Sequence, residues 1–170
     1  MTFDLVTIPC RSDNYAFLLH RGGQTALIDA PEAAPILTEL ARRDWSLDEI
    51  WLTHHHSDHI EGVPALVEAH GCRVRGAAAD AHRLPSLDHA HKGGDQFTFA
   101  GADVDVMEVY GHTVGHIAFH MPAADAVFTG DSLMALGCGR LFEGTPDQMW
   151  DALSRLAALP GDPMVFSGHE

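Results

Sequence analysis

The sequence predicts an α/β fold in which two β-sheets pack face to face, with helices on the outside. Three observations predict it. Short apolar or β-branched runs divided by polar or Gly-rich turns open the chain and return in its second half. Segments of helical period interrupt them after residue 31, again around residue 63 and near the C-terminus. Several of the strand-like runs are spaced as antiparallel hairpins, which a single doubly wound parallel sheet accommodates poorly. At 170 residues the chain has the length of one domain with one substantial core.

Taken in order, Phe3–Ile8, Tyr15–His20 and Thr25–Asp29 read as strands, and Arg21-Gly22-Gly23-Gln24 as the hairpin turn between the second and third. Ala33, Ile36, Leu37 and Leu40 then recur at helical spacing, with Pro31 ahead and Trp45 behind. Ile50–Thr53 is a short buried strand, and His54–Ile60 is too polar to extend it. Val63–Ala69 reads as a helix stopped by Gly71, and Cys72–Arg75 as another strand. Residues 77–95 show no clear period and read as a connector with at most a short helix. Gln96–Phe99, Val104–Val109, Ile117–Met121 and Ala126–Thr129 restore the strand pattern. Residues 147–158 form an amphipathic helix, capped by Thr145, with Pro146 in its first turn and Pro160 beyond its end. Met164–Ser167 is a last strand.

Composition narrows the functional classes. The formal net charge is −14 and Lys92 is the single lysine, so the field repels nucleic acid and anionic membrane. No apolar run approaches the roughly 18 residues of a membrane span. The first residues lack the basic and apolar regions of a signal peptide. Cys10, Cys72 and Cys138 are odd in number and widely spaced, which suits reduced thiols rather than a disulfide framework. The expectation is a cytoplasmic protein whose partner is a small molecule, with neither nucleic acid nor membrane; the oligomeric state is left open.

Thirteen histidines are many for this length, and they cluster: four fall between residues 54 and 59, three between 112 and 120. In Thr53-His54-His55-His56-Ser57-Asp58-His59, an extended start would point His54 and His56 the same way, toward one ion. Asp58 and His59, after a turn, could face a second. Imidazole nitrogen and carboxylate oxygen suit zinc. His112, Asp131 and His169 each follow or flank a strand, in a loop with an adjacent glycine that lets the backbone turn tightly. A carboxylate can give one oxygen to each of two ions, and Asp131 is the natural bridge. A lone histidine is more often a surface or satisfied core residue. Burying a His-x-His-x-Asp-His run without a cation, however, would cost several kcal/mol. His20, His70, His82, His89, His91 and His120 therefore take structural roles. His55 is expected to point away from the ions, and His116 to hydrogen-bond behind them.

Thr53–His59, Gly111–His116, Phe128–Asp131 and Gly168–His169, four separated pieces in the right order, resemble the metal motifs of the metallo-β-lactamase superfamily. Within it, Asp13-Asn14-Tyr15, Gly130-Asp131-Ser132-Leu133 and above all Gly137-Cys138-Gly139-Arg140-Leu141-Phe142-Glu143-Gly144-Thr145 are similar to glyoxalase II, the hydroxyacylglutathione hydrolases. The resemblance covers essentially the whole chain. It implies a four-layer αββα sandwich of two mixed sheets with two divalent ions at one edge. His54, His56 and His112 would hold one ion, Asp58, His59 and His169 the other, with Asp131 between them. Zinc, iron and manganese all occur in the family, and zinc is the first expectation. Arg140 stands where the family places a basic residue against the glutathione moiety, and Phe142 where some members have a tyrosine.

The reaction so implied is hydrolysis of a 2-hydroxyacyl thioester, such as S-lactoylglutathione, to a hydroxy acid and a free thiol. A hydroxide held between the ions would attack, with Asp58 orienting it as well as ligating. Glyoxalase II continues past the Gly-His-Glu motif into a glutathione-binding helical domain. This sequence stops at Glu170, so residues 1–170 read as the catalytic domain without it. His169 near a chain end is exposed to fraying. The alternatives carried forward are a persulfide dioxygenase-like enzyme with a single iron, and an inactive metal-binding fragment. A β-lactamase is disfavoured because many such enzymes bind the second zinc through a cysteine where Asp131 stands. A nuclease is disfavoured by the acidic charge.

Overall fold

The computed structural model describes residues 2–170. The first sheet follows from three strands in a row, β1 (Asp4–Cys10), β2 (Asn14–Arg21) and β3 (Gln24–Ile28), paired antiparallel. Gly22 and Gly23, with φ of 61° and 79°, supply the left-handed pair that a tight hairpin needs. The chain then crosses over through helix α1 (Ala33–Arg43), and β4 (Glu49–Trp51) joins β3 in parallel. A single helical turn, α2 (Ser57–Ile60), and helix α3 (Val63–His70), ended by Gly71 in the left-handed region, return the chain to β5 (Arg73–Ala77). The sheet ends with β6 (His89–His91), parallel to β5, giving the order β1-β2-β3-β4-β5-β6.

The second sheet, in the order β13-β10-β9-β8-β7, is built from β7 (Gln96–Phe99), β8 (Ala102–Glu108), β9 (Ile117–Met121), β10 (Ala126–Gly130) and β13 (Met164–Ser167). Only the β10–β13 pair is parallel. Helix α4 (Pro146–Ala157) precedes β13. Thr145 caps it reciprocally with Gln148, so two otherwise orphaned backbone donors are satisfied.

Alternation along the strands assigns the layers. Phe17, Leu19, Ala26, Ile28 and Trp51 face inward to meet Val104, Val106, Phe119 and Phe128 of the second sheet. The intervening Leu18, Leu27 and Ile50 face outward under Ile36, Leu40 and Leu66 of the first helical layer. Ala118 and Val127 on the far face of the second sheet pack against Ala152 and Leu156 of α4. Both faces of each sheet are therefore covered, and the order is αββα.

Several short pieces of structure lie outside the sequence reading, the single turn of α2 among them. β6 falls within the stretch read as a connector, because His89-Ala90-His91 carries no apolar alternation and its strand state comes from pairing with β5. A two-residue hairpin, β11 (Leu133–Met134) and β12 (Gly137–Cys138), lies between Asp131 and Arg140. The stretch 77–95, read as a connector with at most a short helix, holds a 3₁₀ turn, Ala78–Asp80.

Candidate metal centre

The seven expected donors come together at the edge where β4, β8, β10 and β13 end and β9 begins. Among the described residues, ligand atoms lie within 4.8 Å of one another in three groups: His54, His56 and His112; His54, His59 and Asp131; and Asp58, His59 and His169. Asp131 connects them. Its Oδ2 lies 3.3 Å from His112 Nε2 and 3.4 Å from His169 Nε2, and its Oδ1 lies 3.3 Å from His59 Nε2.

The outer ring nitrogens show which lone pairs point inward. The Thr53 hydroxyl donates to Asp29 Oδ2 at 2.7 Å and is left to accept from His54 Nδ1 at 3.0 Å. His112 Nδ1 donates to the Arg140 carbonyl at 2.7 Å, and His59 Nδ1 to Asp29 Oδ2 at 2.8 Å. Each of these rings thus has Nδ1 engaged on the outside and Nε2 directed at the site, the orientation that metal-ligating histidines adopt. Those nitrogens converge. His56 Nδ1 is 3.1 Å from His54 Nε2 and 3.0 Å from His112 Nε2. Donors of one tetrahedral zinc stand roughly 3.3 Å apart, so the cluster has the spacing that an ion requires. Furthermore, His59 Nε2 and Asp131 Oδ1 are buried and have no hydrogen-bond partner, a cost that a bound cation removes. The residues fit a divalent pair.

Electrostatics divide the cluster into two halves. Burial pushes His54 far below the ordinary imidazole value, and burial with neighbouring histidines lowers His56. Burial also lowers His112, and takes His116 to about 3. These rings are neutral at pH 7. At the other half, burial opposes charge on His59, but Asp29 and Asp131 outweigh it and raise the ring to about 10. Hydrogen bonds to Asp131 and Asp58 raise His169 to about 9. Asp58, bonded by His169, and Asp131, despite its burial, are both held well below the usual carboxylate range. An ion entering this half displaces protons.

Three supporting residues were not singled out as functional from the sequence. Asp29, at φ 56° just past β3, receives Thr53 N–H at 2.8 Å as well as the Thr53 hydroxyl and His59. Thr53 is its partner on the adjacent parallel strand end. Asn14, quoted only as part of a motif, donates to Asp58 Oδ2 at 3.1 Å and to its carbonyl at 3.0 Å, and lies 3.3 Å from His169 Nε2. An acidic residue ending a buried strand was the available signal for Asp29. Nothing local marked its connection to residue 59.

His116 takes the expected supporting place: its Nε2 accepts Asp131 N–H at 3.1 Å, and its ring stacks on His54 at 4.6 Å. His55 turns away, to Asp80 at 3.0 Å. The expected fraying of His169 is countered by backbone pairing. Tyr15 N–H donates to Gly168 O, Gly168 N–H to Gly130 O, and Glu170 N–H to Asp13 O. The reason for glycine next to His169 is space rather than turning. A Cβ at Gly168 would stand 2.5 Å from Asp131 Oδ1 and 2.6 Å from His59 Cε1.

His56, Asp58 and His169 are half-buried, while His54, His59 and Asp131 are buried. Phe142 forms a wall at the mouth, its ring 5.4 Å from that of His56 and 5.3 Å from that of His112. Its outer face lies under the Arg140 guanidinium, 5.2 Å from the centroid. Both are exposed.

Comparisons with known proteins agree with this geometry. The profile of the metallo-beta-lactamase superfamily matches residues 11–169. A hydroxyacylglutathione hydrolase of Ruegeria pomeroyi is 65% identical over 172 residues, covering 100% of this chain and 68% of the relative. One of Roseobacter denitrificans is 64% identical with the same coverage. Among solved structures, ETHE1 from Myxococcus xanthus superposes with a TM-score of 0.85 at 31% identity, over 100% of this chain and 76% of that one. BLEG-1, a B3 metallo-beta-lactamase, superposes at 0.90 over 98% and 92%, and its 22% identity speaks to the fold alone. The chain belongs to the metallo-beta-lactamase superfamily and, within it, to the hydroxyacylglutathione hydrolases.

Proposed function

We propose that the chain hydrolyses a 2-hydroxyacyl thioester of glutathione, S-lactoylglutathione being the reference substrate, to a hydroxy acid and glutathione. The observation that supports it best is the two-lobed donor cluster shared by Asp131, with Phe142 and Arg140 beside its His56–His112 side. In this reading His54, His56 and His112 hold one divalent ion, Asp58, His59 and His169 the other, and Asp131 serves both. Zinc suits the nitrogen and oxygen donors, and iron or manganese would be accepted by the same set. When bound, the ion pair supplies Lewis acidity for the carbonyl and brings the pKa of water toward neutrality.

The chain's own residues supply position. Asn14 fixes the Asp58 carboxylate, whose half-buried position leaves it accessible to orient the attacking water. Asp29, Thr53 and the Arg140 carbonyl fix ring orientation, so that little reorganisation is needed during reaction. Arg140 offers a charge for a glutathione carboxylate, and Phe142 an apolar wall for the thioester. Phe142 has no hydroxyl, so it brings no hydrogen bond to the substrate. A thiolate leaves readily, and the site accordingly needs no strong general acid. Among the described residues no helix is long and apolar enough to cross a membrane. The three free thiols fit action in the reducing cytoplasm.

Metal content per chain and S-lactoylglutathione hydrolysis, measured on the same sample, test the reading. About two ions with turnover is the expected result. Two ions without turnover would overturn the thioesterase assignment, and a single iron with no thioester cleavage would favour the dioxygenase alternative.

A further inference from the structure

Asp80 is 1% exposed and belongs to none of the donor groups, yet it is heavily bonded. Its carboxylate accepts from His55 Nδ1 at 3.0 Å and from Arg83 Nε and Nη2 at 3.1 and 2.5 Å. Arg83 turns a second edge of its guanidinium to Glu143, with Nη1 2.5 Å from Oε1 and Nη2 3.2 Å from Oε2. Glu143 Oε2 also accepts Val114 N–H at 2.9 Å. Its other oxygen lies 3.8 Å from His55 Nε2. The Asp80 carboxylate sits directly against Gly115, where any Cβ would overlap it.

This network links three loops: the one carrying His54–His56, the one carrying His112–His116, and residues 139–145 that carry Arg140 and Phe142. The last loop is tied to its neighbours by backbone bonds from Gly139, Phe142 and Gly144, and by the Arg140 carbonyl. Glu143 adds a side-chain tether, directed into a buried carboxylate through one arginine. Arg83 holds Glu143 ionised, at about 2. A guanidinium that grips both oxygens of Glu143 and brings Nε and Nη2 to one oxygen of Asp80 fixes orientation as well as distance, which a lysine cannot do.

We propose that Asp80 and Arg83 act as a positioning latch: through Glu143 they set the placement of Arg140 and Phe142, and hence substrate affinity, while touching neither substrate nor ion. This rests on the reading of Arg140 and Phe142 as substrate contacts.

The test compares Arg83→Ala, Glu143→Gln and Arg83→Lys with the parent chain in metal content, S-lactoylglutathione kinetics and tryptic cleavage after Arg140, read by mass spectrometry. Arg83→Ala and Glu143→Gln should raise KM about fivefold or more, keep kcat within about twofold, and leave metal content unchanged. Cleavage at Arg140–Leu141 should quicken by a similar factor, because it requires local opening of the loop. Arg83→Lys should fall between the parent and Arg83→Ala. Unchanged KM and cleavage overturn the latch. So does loss of metal or of kcat at constant KM, which would place the network's effect in the metal centre. If the metal-loaded parent chain fails to hydrolyse the thioester, the functional reading fails, and the cleavage rates still decide the latch.

Discussion

Replacing Asp29 by Asn should separate metal affinity from fold. The residue lies at φ 56°, a region that Asn tolerates as well as Asp, so the backbone itself is not strained. Three buried donors meet the carboxylate: Thr53 N–H on Oδ1, and the Thr53 hydroxyl and His59 Nδ1 on Oδ2. An amide has one accepting atom and cannot serve both sides. With its oxygen toward Thr53 N–H, its NH₂ faces His59 Nδ1 and forces the proton to Nε2, the nitrogen directed at Asp131 and the proposed second ion. With its oxygen toward His59, its NH₂ opposes a buried backbone N–H.

Either arrangement costs about 1–3 kcal/mol, the desolvation penalty of one unpaired buried group. The smaller of the two costs will be observed. In the first case it appears as roughly tenfold to hundredfold weaker binding of one ion. In the second it appears as a lower melting temperature, by about 2–4 °C per kcal/mol for a chain of this size. Titration against a competing chelator, paired with thermal unfolding of the chelator-treated protein, reads both. An Asp29→Asn protein with two ions at parent affinity and an unchanged melting temperature would refute the tautomer argument.

Gly168→Ala should leave the sheets intact and lower metal content from about two ions toward one, because its Cβ would press on Asp131 Oδ1 and His59 Cε1; equal stoichiometry in the two proteins would show that β13 can retreat freely. Native thiol titration should label one cysteine rapidly, Cys138, since burial pushes Cys10 and Cys72 up to about 11; two fast thiols would contradict the burial of Cys10 at the end of β1 and of Cys72 just ahead of β5. Glu49→Gln should cost about 3 kcal/mol at neutral pH, because Arg73, Arg75 and Trp51 all donate to this buried carboxylate. Although burial opposes ionisation of Glu49, the arginines prevail and its pKa is lowered. The stabilisation is therefore full above about pH 4.3, the unfolded value, and is lost as pH falls through the lower folded value. Denaturant midpoints that differ equally at pH 7 and well below pH 4 would sink this assignment.

The layer architecture was legible because alternation is local. Leu18 and Leu19, or Leu27 and Ile28, are equally apolar and face different cores, and such continuous apolar runs already indicate strands covered on both sides. The stop at Gly71, the Gly22-Gly23 hairpin and the Thr145 cap were legible for the same reason, since each is a residue-specific backbone preference. β6 and the β11–β12 hairpin were not, because two- and three-residue strands owe their state to a partner rather than to their own sequence.

At the site the division falls elsewhere. The sequence by itself determined the identity and local spacing of the candidate donors, because imidazole and carboxylate chemistry is carried by residue type, and His54 and His56 are set two apart on one segment. Only the tertiary structure decided which nitrogen each ring presents, since that depends on Asp29, Thr53 and the Arg140 carbonyl, groups brought in from β3, β4 and the loop after β12. It also decided that Asn14 would brace Asp58 across 44 positions, and that Asp80 would reach Glu143 through Arg83. Hydrogen bonds of that kind join residues with no shared local pattern, and they exist only once the two sheets and their loops have closed on one another.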